Sequence, residues 1–195
     1  MPPPTKLAPA DLAIVRGRAG LSAEGNQLIA SCATVIEAIA ALSQAGNLIE
    51  ASRLIAHAMP KREAVWWACM CARATQPGTL APLDTAALEA AELWVRKPGE
   101  DARYAAFAVA QEAGFGSPES WACVGAFWSG DSMAPVGQPV VPPAPNLAGT
   151  AIAGSIALAS VRTDPTRQMA RLQSFLTSAH DIAAGGTGRL PPETA

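Results

Sequence analysis

Apolar side chains along this chain recur three and four residues apart, which is the spacing of one face of an α-helix. Within Ser22–Ala45 the series is Leu28, Ile29, Cys32, Val35, Ile36, Ile39 and Leu42, and Gly46-Asn47 ends it. Leu48–Met59 follows as a second helix with Leu54, Ile55 and Ala58 inward. Pro60 breaks the chain and opens the next helix as its first residue, where a missing N–H costs nothing. Gln76-Pro77-Gly78 is a turn. Asp84 offers an N-cap for a helix through Lys97, with Leu88, Ala91, Trp94 and Val95 on one side. Pro98-Gly99 separates it from a helix over Glu100–Ala113, which Gly114 closes. Ser117-Pro118-Glu119 starts another, running to about Trp128.

Two stretches lack a polar face. In Pro60–Ala74 no polar residue interrupts Ala64–Ala72. At about 100° per residue, Val65, Ala68, Cys69 and Ala72 share one face, Trp66 and Met70 a second, and Trp67 and Cys71 a third. A helix apolar all round must be covered all round, so this one is expected at the centre, packed by several others. Leu147–Val161 is the other such stretch, rich in the small residues Gly149, Ala153, Gly154, Ala157 and Ser160 that permit close helix contact. Its neighbour Pro165–Ala184, capped by Asp164, carries the stripe Met169, Leu172, Phe175, Leu176 and Ile182. The pair is expected to form a hairpin that docks on the main body or pairs with another chain.

The predicted fold class is therefore all-α: a compact helical bundle or short α-superhelix of about eight helices joined by short connections. The organisation expected is a mobile N-terminal arm over 1–20, a main helical domain over 21–133, a proline-rich linker over 134–146, the C-terminal hairpin over 147–184 and a disordered tail over 185–195. Trp67-Ala68-Cys69 recurs as Trp121-Ala122-Cys123. Each copy follows a proline and a glutamate, which fits either a duplicated helix or coincidence in an alanine-rich chain.

Composition narrows the function classes. The chain has 195 residues, 50% of them apolar and 15% charged, enough to bury a sizeable core. A net charge of −2 gives no reason to expect nucleic acid or an anionic membrane surface as partner. The start MPPPTKLAP lacks the apolar run of an export signal, and Leu147–Val161 falls short of the roughly 20 apolar residues of a spanning helix. A cytoplasmic protein with no transmembrane segment is expected, its four cysteines serving as small buried hydrophobes.

Little in the sequence carries chemistry. Cys69 and Cys71 lie two apart, so on a helix they point about 200° from each other and cannot share a metal. The only histidines are His57 and His180, a zinc site needs four ligands at workable spacings, and neither a metal nor a cofactor is expected. Gly130-Asp131-Ser132-Met133 resembles the nucleophile block of GDS-type lipases and esterases. In that family the block follows an N-terminal strand and pairs with a C-terminal Asp-x-x-His. Here it follows a helix two-thirds along the chain, and the C-terminal region offers His180-Asp181 instead. His57 precedes Pro60 at a helix end, where it suits the last carbonyls as well as acid–base work. The tryptophans suit a core or the wall of an apolar pocket.

The segment from Ala38 through Arg73, above all PKREAVWWACMCAR, resembles an uncharacterised family of bacterial helical proteins in its tryptophan pair, its Cys-x-Cys and its flanking basic residues. The resemblance implies a small cytoplasmic protein without assigned catalysis, accompanying contractile secretion systems of the type VI kind. The expected function is a non-catalytic, protein-binding adaptor or chaperone-like accessory protein. Its partner would be a secretion-system component, an effector or a second copy of the chain. Arg62, Trp66, Trp67 and Arg73 on the central helix, and Met169, Leu172 and Leu176 on the last, are the candidate contact residues. The alternative is a small hydrolase or apolar-ligand-binding protein with a pocket near the tryptophans or Ser132.

Overall fold

Local capping and side-chain periodicity set most of the element boundaries. The structure is a computed structural model and describes residues 3–135 and 137–193. Expectations for residues 1–2, 136 and 194–195 fall outside the described residues. The chain is all-α. Among the described residues there are ten α-helices and no strand: α1 (Leu12–Ala19), α2 (Ala23–Leu28), α3 (Val35–Gln44), α4 (Leu48–Ala58), α5 (Lys61–Ala74), α6 (Pro82–Arg96), α7 (Glu100–Glu112), α8 (Pro118–Phe127), α9 (Leu147–Val161) and α10 (Gln168–Ala183). A 3-10 turn over Pro165–Arg167 leads into α10, with Asp164 accepting from Thr166 N.

Three boundaries differ from the sequence expectation. Ser22–Ala45 is two helices, because Thr34 and Glu37 form a reciprocal capping box that starts α3 afresh. The chain between them turns through Ile29, which is buried. Pro60 stands just outside α5 as its N-cap, leaving Lys61 as the first helical residue. α6 begins at Pro82, so Asp84 sits inside its first turn, where its charge suits the N-terminal dipole without capping. At α8 the sequence signal holds: Ser117 caps with Ser120 as its reciprocal partner, and Pro118 is the first helical residue.

α5 is packed by α6, α8, α9 and α10. Val65, Trp67, Ala68, Cys69, Cys71 and Ala72 are fully buried. The Trp67 indole N–H donates to the Phe175 carbonyl at 2.8 Å, so the one polar atom on this side chain is satisfied in the core. α9 crosses α4, α5 and α8. Its small residues and a glycine opposite let the backbones approach. A Cβ on Gly125 of α8 would stand 2.5 Å from Ile152 Cδ1, and Ser155 Oγ donates to the Pro118 carbonyl at 2.7 Å. The end of α9 is tied down by Arg162, which pairs with the fully buried Glu119 of α8 (2.8 Å to Oε1) and also reaches the Ala72 carbonyl. The segment 147–183 thus lies on this chain's own helices.

Both flanking segments also make specific contacts. In the N-terminal arm, expected to be mobile, Leu7 is fully buried, Lys6 Nζ pairs with Glu63 at 2.9 Å and Asp11 caps α1. In the tail, expected to be disordered, Glu193 accepts from Arg171 Nε and Nη2 at 2.8 Å each, and its amide donates to the Ala74 carbonyl. The arm is thus seated by a buried leucine and an ion pair, and the tail by the Glu193–Arg171 pair and its backbone bond to Ala74. Most of the described residues of the proline-rich linker are exposed, Val140 at 71%.

Candidate functional site

The residues singled out in the sequence separate into core and surface. Trp67, Leu172 and Leu176 are buried against the chain's own helices and offer no partner a contact. Arg73 is exposed, but its guanidinium is engaged with Glu92 of α6 (2.5 Å from Nε, 2.9 Å from Nη2). Met169 is exposed on α10. Arg62 and Trp66, one turn apart on α5, stay at the surface and come together there. They line a shallow depression of about 350 Å³ with Lys6, Val95, Arg96 and Ile182. Each is held in place: Arg62 Nε donates to the Val95 carbonyl at 2.7 Å, and the Trp66 indole N–H donates to the Thr187 carbonyl at 2.7 Å. The segment after α10 therefore forms part of this surface, a contribution invisible in a glycine-rich sequence.

The residues considered for catalysis take structural positions. Ser132 Oγ accepts from Ala134 N and Val141 N, both at 3.1 Å, and so closes the loop that starts the linker. Burial pushes the Cys69 and Cys71 thiols well up from their ordinary range, and Cys123, raised to about 12 for the same reason, donates to the Ala87 carbonyl. A thiol held protonated is a poor nucleophile. His57, near the end of α4, packs against the start of α9, where a Cβ on Gly149 would stand 2.3 Å from its Nδ1. Burial, then the Arg18 charge, lowers its pKa to about 4, so it is neutral at pH 7.

His57 also marks one end of a larger groove, missed in the sequence because four helices build it. Its floor is a thinly covered strip of α9, the exposed Thr150 and Ala157 with the half-buried Ala153 and Gly154. One wall is the i, i+4, i+8 row Ile49, Arg53 and His57 of α4. The other is Gln168 and Leu172 of α10, and the Arg18–Gly20 end of α1 closes the groove. It encloses about 480 Å³. Small side chains on the floor, an apolar mid-section and two guanidinium groups on the rim make it a concave site that can hold an organic molecule.

Comparison with known proteins gives a family but no function. The model of a family of unknown function, DUF6931, matches residues 38–183, from α3 to the end of α10. No curated protein and no solved structure matches.

Proposed function

The chain belongs to that family, and we propose that it works as a non-catalytic, protein-binding adaptor or chaperone-like accessory protein. The observation that carries this reading is the Trp66–Arg62 depression on α5. Tryptophan and arginine are the side chains most enriched among those that dominate binding energy at protein interfaces. Here the two sit side by side, fixed by hydrogen bonds to backbone carbonyls, so little freedom would be lost when a partner docks. Met169, 46% exposed on α10, is a further apolar contact available at the surface.

In this reading the protein is a bacterial cytoplasmic one and the partner is a protein, with a component or effector of a type VI secretion system as the first to try and a second copy of the chain as the next. No helix among the described residues is long and apolar enough to cross a membrane. The test is a pull-down from the native host with the wild-type chain and with Arg62→Ala and Trp66→Ala. A specific partner should be retained by the wild type and lost from both variants while their circular dichroism is unchanged. Equal capture by all three would remove this surface from consideration. An esterase activity abolished by Ser132→Ala would replace the adaptor reading with the hydrolase one.

A further inference from the structure

We propose that the groove over α9 binds a small amphipathic anion: a carboxylate or phosphate head on a short alkyl or acyl chain. Three observations converge on that chemistry. The first is shape. A cavity of about 480 Å³ lies within the range that holds small organic ligands, roughly 300–1,000 Å³. The second is charge. No acidic residue lines the groove, whereas Arg18 and Arg53 both do. Of the nine other arginines, six pair with a carboxylate, namely Arg73, Arg96, Arg103, Arg162, Arg167 and Arg171, while Arg16 is bonded to Asn26, Arg62 to the Val95 carbonyl, and Arg189 lies apart in the tail. Among the described residues Arg18 and Arg53 pair with no carboxylate, and Arg53 donates to the Gly20 carbonyl at a long 3.4 Å. Two unpaired guanidinium groups at one cavity, in a chain of net charge −2, favour an anion there.

The third observation is polarity along the groove. The arginines stand at the α1 and α4 side, while Ala153 and Ala157 on the floor supply apolar surface beside them, with the buried Ile156 and Leu172 beneath it. α9 has no polar face to turn outward, and its thinly covered strip leaves apolar surface that only an apolar group can shield from water. A purely apolar ligand would leave the guanidinium groups unused, and a bare anion would leave the strip exposed. An amphipathic anion satisfies both. This site is separate from the Trp66 surface and stands or falls independently of the adaptor reading.

The test is calorimetric titration of the full chain with octyl phosphate and octanoate, against octanol and inorganic phosphate as single-feature controls. At least one amphipathic anion should bind one to one, and both controls should bind at least about tenfold more weakly. Arg18→Ala with Arg53→Ala should weaken the anion about tenfold, and added salt should weaken it further. Both side chains are exposed and unpaired, so the variant should keep its melting temperature. Ala157→Phe, which fills the groove from its floor, should abolish binding. The proposal is overturned if neither anion binds, if octanol binds as well as they do, or if the arginine pair or Ala157→Phe leaves affinity unchanged. It is equally overturned if binding occurs only to vesicles of phosphatidylcholine with phosphatidylglycerol, which would mean a membrane surface and not a cavity.

Discussion

Trp67 shows how far a single residue is determined by its surroundings. It is fully buried with its N–H bonded across to α10, so it joins α5 to α10 by both contact area and a hydrogen bond. Trp67→Ala should cost roughly 3–5 kcal/mol, the range for removing a large core aromatic, as read from urea unfolding; a loss below about 1 kcal/mol would show that the site collapses freely. Its neighbour Trp66 differs only in direction, and its ring is left half-buried at the surface. His57 carries a pH signature. Its folded pKa of about 4 lies below its ordinary 6.5, so the unfolded chain binds the proton more tightly. The neutral folded form carries no penalty above pH 6.5. As pH falls from 6.5 toward 4, the unfolded state gains a proton that the folded state resists, and stability drops. His57→Gln should remove that part of the slope, visible as a smaller loss of melting temperature between pH 7 and pH 5 than in the wild type. His180, also lowered by burial, leaves a residual slope in both proteins. Equal slopes would mean that water reaches the His57 ring freely.

At the scale of elements, α5 and α9 are the two helices without a polar face, and they solve the problem differently. α5 is covered by four helices. α9 is covered on the sides that meet α4, α5 and α8, and its remaining strip floors a groove. Its closeness to α8 depends on Gly125, its register is fixed by Ser155 on the Pro118 carbonyl, and its end is held by the Arg162–Glu119 pair. Glu119 is fully buried, so removing its partner leaves an uncompensated charge, a loss that typically reaches about 3–5 kcal/mol. A chain ending at Ala134 lacks α9 and α10 altogether. It exposes the inner faces of α4, α5 and α8 and orphans Glu119, so it should aggregate or run as an expanded species on size-exclusion chromatography. A monomeric truncation that unfolds at the same urea concentration as the full chain would show that the C-terminal helices contribute nothing to the core.

At the scale of the whole molecule, both flanking segments complete surfaces that the helices leave open. The tail brings Glu193 to Arg171, a nearly buried guanidinium whose other contacts are the carbonyls of Ser160, Arg162 and Asp164. Deleting residues 187–195 should lower stability by about 1–3 kcal/mol and free the Trp66 indole, seen as a change in tryptophan fluorescence; an unchanged spectrum and midpoint would mean that the tail contributes nothing in solution. The sequence by itself determined the helical class and most helix ends. Periodicity and caps are local, and Leu147–Val161 reads directly off its apolar run while Ser117-Pro118 announces α8. It also determined that Pro60–Ala74 would be central, since a stretch apolar all round has no other stable place. It did not separate Trp66 from Trp67 as surface from core, because a helix apolar on every side carries no pattern to say which face a neighbour leaves uncovered. The split of Ser22–Ala45 was written in Thr34 and Glu37 but masked by a continuous apolar series across it. Only the tertiary structure decided the groove: Arg18, Arg53, His57, Ala157 and Leu172 are scattered over four helices, each unremarkable in its own stretch. The physical reason is that helix spacing is set by contacts a few residues apart, whereas a cavity is set by which helices fail to touch, and that depends on packing across the whole chain.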